Sequence, residues 1–226
     1  DPQLIFESKN ARAKITTFRG GKPVTQIKDI KRSPLEFLQE ILKVYKFVNI
    51  DGLPRFCGGL VGYLGYDTVR FFEKLPQKTV DDLKLPDALL ILAQDIIIFD
   101  HRNRKIKIVS NVFVDPKSTK SQKITLYKKT LAKIDLVINQ LKAPLALENK
   151  NRRIKRNLVE LPLQSNLTKS QFVDIVTRAK EYIRAGDIIK VVLYQRFKID
   201  LQVNPFNVYS SLRALNPSPY MYFLNF

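Results

Sequence analysis

Lys190, Tyr194 and Arg196 recur at even spacing within the Ile/Val-rich run Ile188–Phe197. Period-two alternation after Gly186 predicts a strand. Ile189, Val191, Leu193, Gln195 and Phe197 would share one face, and Ile188, Lys190, Val192, Tyr194 and Arg196 the other. Two cations on one half-apolar face suit a carboxylate ligand, Arg as a planar fork and Lys as a point charge. A lysine there can also act as a general base. The same charges would equally guard an edge strand against pairing, and residue chemistry alone does not separate these readings.

A second set is Asn216-Pro217-Ser218-Pro219-Tyr220-Met221. Two prolines stiff at φ, without donors, leave carbonyls aimed in set directions beside an aromatic ring and a thioether. That suits an amine-bearing ligand with an apolar ring, but it is also what an ordinary turn needs. On chemistry alone the turn is the simpler reading.

Other chemistry-bearing residues carry less. Gly58, Gly59, Gly62 and Gly65 lie in RFCGGLVGYLGYDTVR without the Lys-Ser/Thr of a phosphate loop, so close backbone approach in a sheet is the expected role. His101 sits beside Arg102 and Arg104 with no triad or metal-ligand arrangement around it, and reads as a turn histidine. Cys57 lacks a partner histidine and reads as a small buried hydrophobe.

The elements that must position these residues follow from pattern. Leu4–Ile15 reads as strand material. Ser33-Pro34-Leu35-Glu36 has the form of a helix start, with Leu35, Leu38, Leu42 and Tyr45 at helical spacing. Ala88–Phe99 and Lys105–Val114 form an expected hairpin across Asp100–Arg104. Ser121–Leu141 is a helix by its stripe, stopped by Pro144. Thr168-Lys169-Ser170-Gln171 is a capping box opening a helix that Gly186 closes. These divide the chain into an N-terminal region 1–144, a linker or edge segment 145–166, and the start of a second domain at 167–226. A second strand is expected after the Asn216–Met221 loop. Phe226 follows it without a turn or tail and reads as a truncation point.

Composition bounds the class. At 226 residues and 45% hydrophobic content, the chain suits one large domain or two small ones. One cysteine excludes a disulfide framework and fits a reducing compartment. The apolar runs are too short to span a bilayer, so no membrane partner is expected. A net charge of +18 invites a nucleic-acid reading. However, the charge is spread along the chain with no recognition motif, and solvated faces with no nucleic-acid partner are expected instead.

Three blocks, GLPRFCGGLVGYLGYDTVRFFEKLP (Gly52–Pro76), AKEYIRAGDIIKVVLYQRF (Ala179–Phe197) and LNPSPYMYFL (Leu215–Leu224), closely resemble component I of the anthranilate synthase family. The resemblance implies an α+β fold of two antiparallel β-sheets packed as a sandwich flanked by helices, here incomplete at both ends. It implies a lyase of tryptophan biosynthesis, converting chorismate to anthranilate and pyruvate with Mg²⁺ and ammonia from a glutamine amidotransferase subunit. Tryptophan feedback inhibition is implied at Pro219, Tyr220 and Met221, with Asn216 beside them. Lys190 would be catalytic and Arg196 substrate-binding. Catalytic acids and Mg²⁺ ligands are expected beyond Phe226, and another tryptophan-binding element before Asp1, so this stretch alone is expected to be inactive. A soluble intracellular enzyme of cytoplasm or plastid stroma is implied. One departure matters: anthranilate synthases usually have glutamine where Lys190 stands. Isochorismate and salicylate synthases place there a lysine that activates water, so those enzymes and aminodeoxychorismate synthases are the related alternatives.

Overall fold

The computed structural model describes residues 2–19, 21–30, 33–48, 50–77, 79–144 and 162–226. Chain contacts divide it into two units, Asp1–Ala146 and Leu147–Phe226.

In the first unit, β1 (Leu4–Lys9), β2 (Arg12–Arg19) and β3 (Lys22–Asp29) form a meander. The run expected as one strand is broken at Asn10, whose φ of 52° is a turn conformation that asparagine tolerates. Helix α1 (Pro34–Leu42) starts as expected: Ser33 Oγ accepts the Leu35 N–H at 3.2 Å, and Pro34 occupies the first turn. β4 (Gly59–Leu64) and β5 (Ala88–Ala93) complete an antiparallel sheet of order β3-β2-β1-β5-β4. Along β1, Leu4, Phe6 and Ser8 are buried while Ile5, Glu7 and Lys9 are not, the alternation of a half-buried strand. Leu4, Phe6, Ala13, Ile15, Ala88 and Leu92 build the sheet side of the core, and Ile30 and Leu38 complete it. Phe6 stacks on Phe37 of α1 with centroids 5.9 Å apart. Burying one such phenylalanine stabilises by about 2–3 kcal/mol.

The expected single run Ala88–Phe99 is two strands. Gln94 separates β5 from β6 (Asp95–Asp100), which pairs with β7 (Lys105–Ser110). Helix α2 (Lys120–Lys142) is capped by Thr119, whose hydroxyl and Gln122 make the reciprocal capping box. Lys133 of α2 donates to the Asp95 carboxylate, which also accepts from Ser110 Oγ at 2.5 Å.

The second unit opens with β8 (Gln164–Ser165) and α3 (Lys169–Ala185), capped by Thr168 with Gln171. Gly186 closes α3 at φ 81°, the left-handed conformation that glycine adopts without a Cβ clash. β9 (Phe197–Lys198) pairs with β8, and α4 (Pro205–Leu215) follows. Among the described residues the antiparallel components are therefore one five-stranded sheet and two two-stranded ribbons, in an α+β chain. Most of the expected linker, 145–161, lies outside the described residues.

Candidate functional site

The predicted strand Ile188–Phe197 is not formed as such. Only Phe197–Lys198 is laddered, and Ile188–Gln195 carries no strand assignment. A strand exists through its partner, and among the described residues only β8 lies opposite, two residues long. Ile189 (96% exposed) and Val192 (82%) lie open where a strand core would bury them. The strand expected after Met221 is absent for the same reason, since 221–226 pair with no described segment.

Lys190 is exposed on this open segment, and Arg196 is half-buried at its end. The Arg196 main chain is held on both sides. Its N–H donates to Asn166 Oδ1 at 2.8 Å, and its carbonyl accepts from the Asn166 N–H at 3.2 Å. Gln195 Nε2 donates to Ser165 Oγ at 2.8 Å. Arg196 therefore has a fixed backbone origin beside the start of α3, whereas Lys190 has no ladder to orient it.

Asn216 caps the C-terminus of α4, its N–H donating to the Leu212 carbonyl at 2.9 Å. Sequence reasoning passed over α4 as a connection. Its signal was present: Asn204 Oδ1 accepts from the Phe206 N–H at 2.8 Å, and Pro205 sits in the first turn. After the Pro217-Ser218-Pro219 reversal the chain returns along the helix, and Phe223 meets Phe206 (5.4 Å) and Tyr209 (5.6 Å). That aromatic cluster holds both ends of the loop. Tyr220 projects at its tip, 91% exposed, and Met221 is half-buried beside it.

The glycine block is structural. A Cβ on Gly62 would lie 2.0 Å from the Leu89 carbonyl oxygen, and one on Gly58 would lie 2.5 Å from Asn111 Nδ2. That amide donates to the carbonyls of Cys57 and Gln94, tying the segment to the β5–β6 junction. Cys57 is buried, its thiol donating to the Pro54 carbonyl. His101 is exposed in the β6–β7 turn.

Cavities lie elsewhere, among the described residues of the first unit. One of about 710 Å³ is lined by Arg70–Gln77, but Arg70 is already committed to Asp67 and to the Leu75 and Pro76 carbonyls. Another, about 310 Å³, lies beside the β1–β2 turn, where Lys9 is paired with Asp81 and Lys14 with Glu7. Neither cavity is lined by Lys190, Arg196 or Asn216–Met221, the residues whose chemistry suits a ligand, so we place the candidate site in the second unit.

Residues 1–226 match the family model described as chorismate binding enzyme. Anthranilate synthase component 1 of Acetivibrio thermocellus is 36% identical over 227 residues, covering 100% of this chain and 44% of that protein. The namesake from Mycolicibacterium smegmatis is 37% identical, covering 99% and 41%. The crystal structure of anthranilate synthase component I from Streptococcus pneumoniae TIGR4 superposes with a TM-score of 0.73 at 27% identity, covering 99% of this chain and 46% of that one. The chain thus spans less than half the length of these relatives.

Proposed function

This chain belongs to the chorismate binding enzyme family, and from that premise we propose that it serves in an anthranilate synthase component I. The reaction joins chorismate and ammonia to give anthranilate, pyruvate and water. The observation that carries this reading is the match of residues 1–226 to the family, with relatives across nearly the whole chain named anthranilate synthase component 1.

Chorismate is a dicarboxylate, and Arg196 is the residue best placed to meet one carboxylate, because its main chain is fixed at both N–H and carbonyl. Lys190 supplies a second positive charge or a base. Pro219, Tyr220 and Met221, with Asn216 at the helix end, form the proposed tryptophan sensor. Carbonyls of the proline-stiffened turn would accept from the ammonium, while the exposed Tyr220 ring and the Met221 thioether offer an apolar seat for an indole.

Ammonia would come from a glutamine amidotransferase partner. Mg²⁺ is the proposed cofactor, but among the described residues no group of three His, Cys, Asp or Glu could hold a metal ion. These residues do not fit the ion, and no step is routed through it. Among the described residues no helix is long and apolar enough to cross a membrane. A cytoplasmic or plastid setting is part of the same proposal.

The test is product identity. The native polypeptide carrying these residues, given chorismate and ammonium, is expected to form fluorescent anthranilate. Isochorismate or salicylate without anthranilate would assign Lys190 to water activation and overturn the amination reading.

A further inference from the structure

The end of the β8–β9 ribbon holds Arg196 in an unusual way. The ladder sets Gln164 against Lys198 and Ser165 against Phe197, so the next antiparallel pair is Asn166 with Arg196. At that pair the Asn166 N–H still donates to the Arg196 carbonyl at 3.2 Å. The return bond comes from the side chain: the Arg196 N–H donates to Asn166 Oδ1 at 2.8 Å. An asparagine amide oxygen is here standing in for a main-chain carbonyl, as it does in turns. The Asn166 carbonyl is thereby replaced in the ladder by its own side-chain oxygen, while the Asn166 N–H keeps its bond to Arg196.

The adjoining residues reinforce the arrangement. Ser165 Oγ accepts from Gln195 Nε2 at 2.8 Å and from the Leu167 N–H at 3.1 Å, and donates to the Leu167 carbonyl at 2.7 Å. That uses the hydroxyl's one donor and both acceptor sites. Two residues past Asn166, Thr168 caps α3. Ser165 and Asn166 thus tie residues 195–196 to the start of a 17-residue helix.

We propose that Asn166 is a positioning residue for substrate binding: its side-chain oxygen fixes the Arg196 main chain and so sets where the guanidinium meets the substrate carboxylate. This inference rests on the chorismate reading of Arg196 given above.

Steady-state kinetics on the native polypeptide carrying these residues test it. Asn166→Ala is expected to raise KM for chorismate about fivefold, the effect of one lost hydrogen bond, with kcat held within about twofold. Asn166→Asp keeps an acceptor oxygen in place and is expected to restore KM to within about twofold of native. Amide exchange at Arg196 should quicken in Asn166→Ala and not in Asn166→Asp, a readout that needs no substrate. If Asn166→Ala does not fold, Asn166→Gln, which shifts the acceptor by a methylene, is expected to raise KM in its place. Should Arg196→Ala raise KM while Asn166→Ala leaves it unchanged, the positioning role is overturned and the chorismate reading stands. Should Arg196→Ala leave KM unchanged, the carboxylate assignment itself falls, and this inference with it.

Discussion

The five-stranded sheet with α1 and the segment Ile188–Phe226 share similar residue types but differ in what they close upon. In the sheet, apolar side chains meet partners supplied by neighbouring strands, and Phe6 and Ala88 are fully buried. In the second unit Ala179 is the only buried hydrophobic residue among those described, while Ile189, Leu215 and Tyr220 are each more than four-fifths exposed. The residues with the best ligand chemistry lie in the open region, while the tightest packing lies in the closed one. A scaffold that satisfies its own backbone groups can be read as a finished object. An open segment tied by contacts such as those of Asn166, Ser165 and an aromatic cluster cannot, and its geometry depends on what such contacts fix.

That contrast can be broken most sharply at its closed end. Phe6→Ala removes a fully buried ring and is expected to cost about 4 kcal/mol, read as a lower denaturant midpoint for the first unit. Gly62→Ala forces a Cβ to within 2.0 Å of the Leu89 carbonyl oxygen, and is expected to cost about 3 kcal/mol by prising β4 from β5.

A smaller effect tests the α2 anchor. Burial pushes the Asp95 carboxyl up, but hydrogen bonds from Lys133 and Ser110 outweigh it and hold the group below the ordinary carboxylate range. A lowered folded-state value means stability present above the ordinary carboxylate pKa and lost as pH falls through the folded one. Asp95→Asn should therefore be about 1 kcal/mol less stable than native at neutral pH, with the difference shrinking in acid; an unchanged difference would refute the anchor. Smallest of all, Ile189→Ala in the 226-residue chain is expected to stay within about 0.5 kcal/mol of native, because the side chain is 96% exposed. A core-sized loss there would erase the contrast between the two regions.

The helix boundaries were legible because their signals are local. Ser33 and Thr168 cap as their neighbours demand, and Gly186 takes the φ that only a short-range pattern requires. The glycine block was read correctly as close approach, since a Cβ on Gly62 would collide with the Leu89 carbonyl oxygen. Pairing was not legible, because it belongs to two segments at once. The alternation of Ile188–Phe197 is a strand pattern, yet among the described residues no strand stands opposite most of it. β3, rich in charge and polar residues and exposed along its length, gave too little alternation to declare itself. The Arg196 clamp was hidden for the same reason: Asn166 lies 30 residues away in a stretch with no periodicity.

On the proposed reading, the open segment of the second unit, and not the closed sheet, receives the substrate. Amide hydrogen exchange on the native polypeptide, with and without saturating chorismate, tests this directly. Slower exchange across 188–196 with β1, β2 and β5 unchanged is the predicted result. Protection gained in the sheet while 188–196 exchanges as before would contradict it.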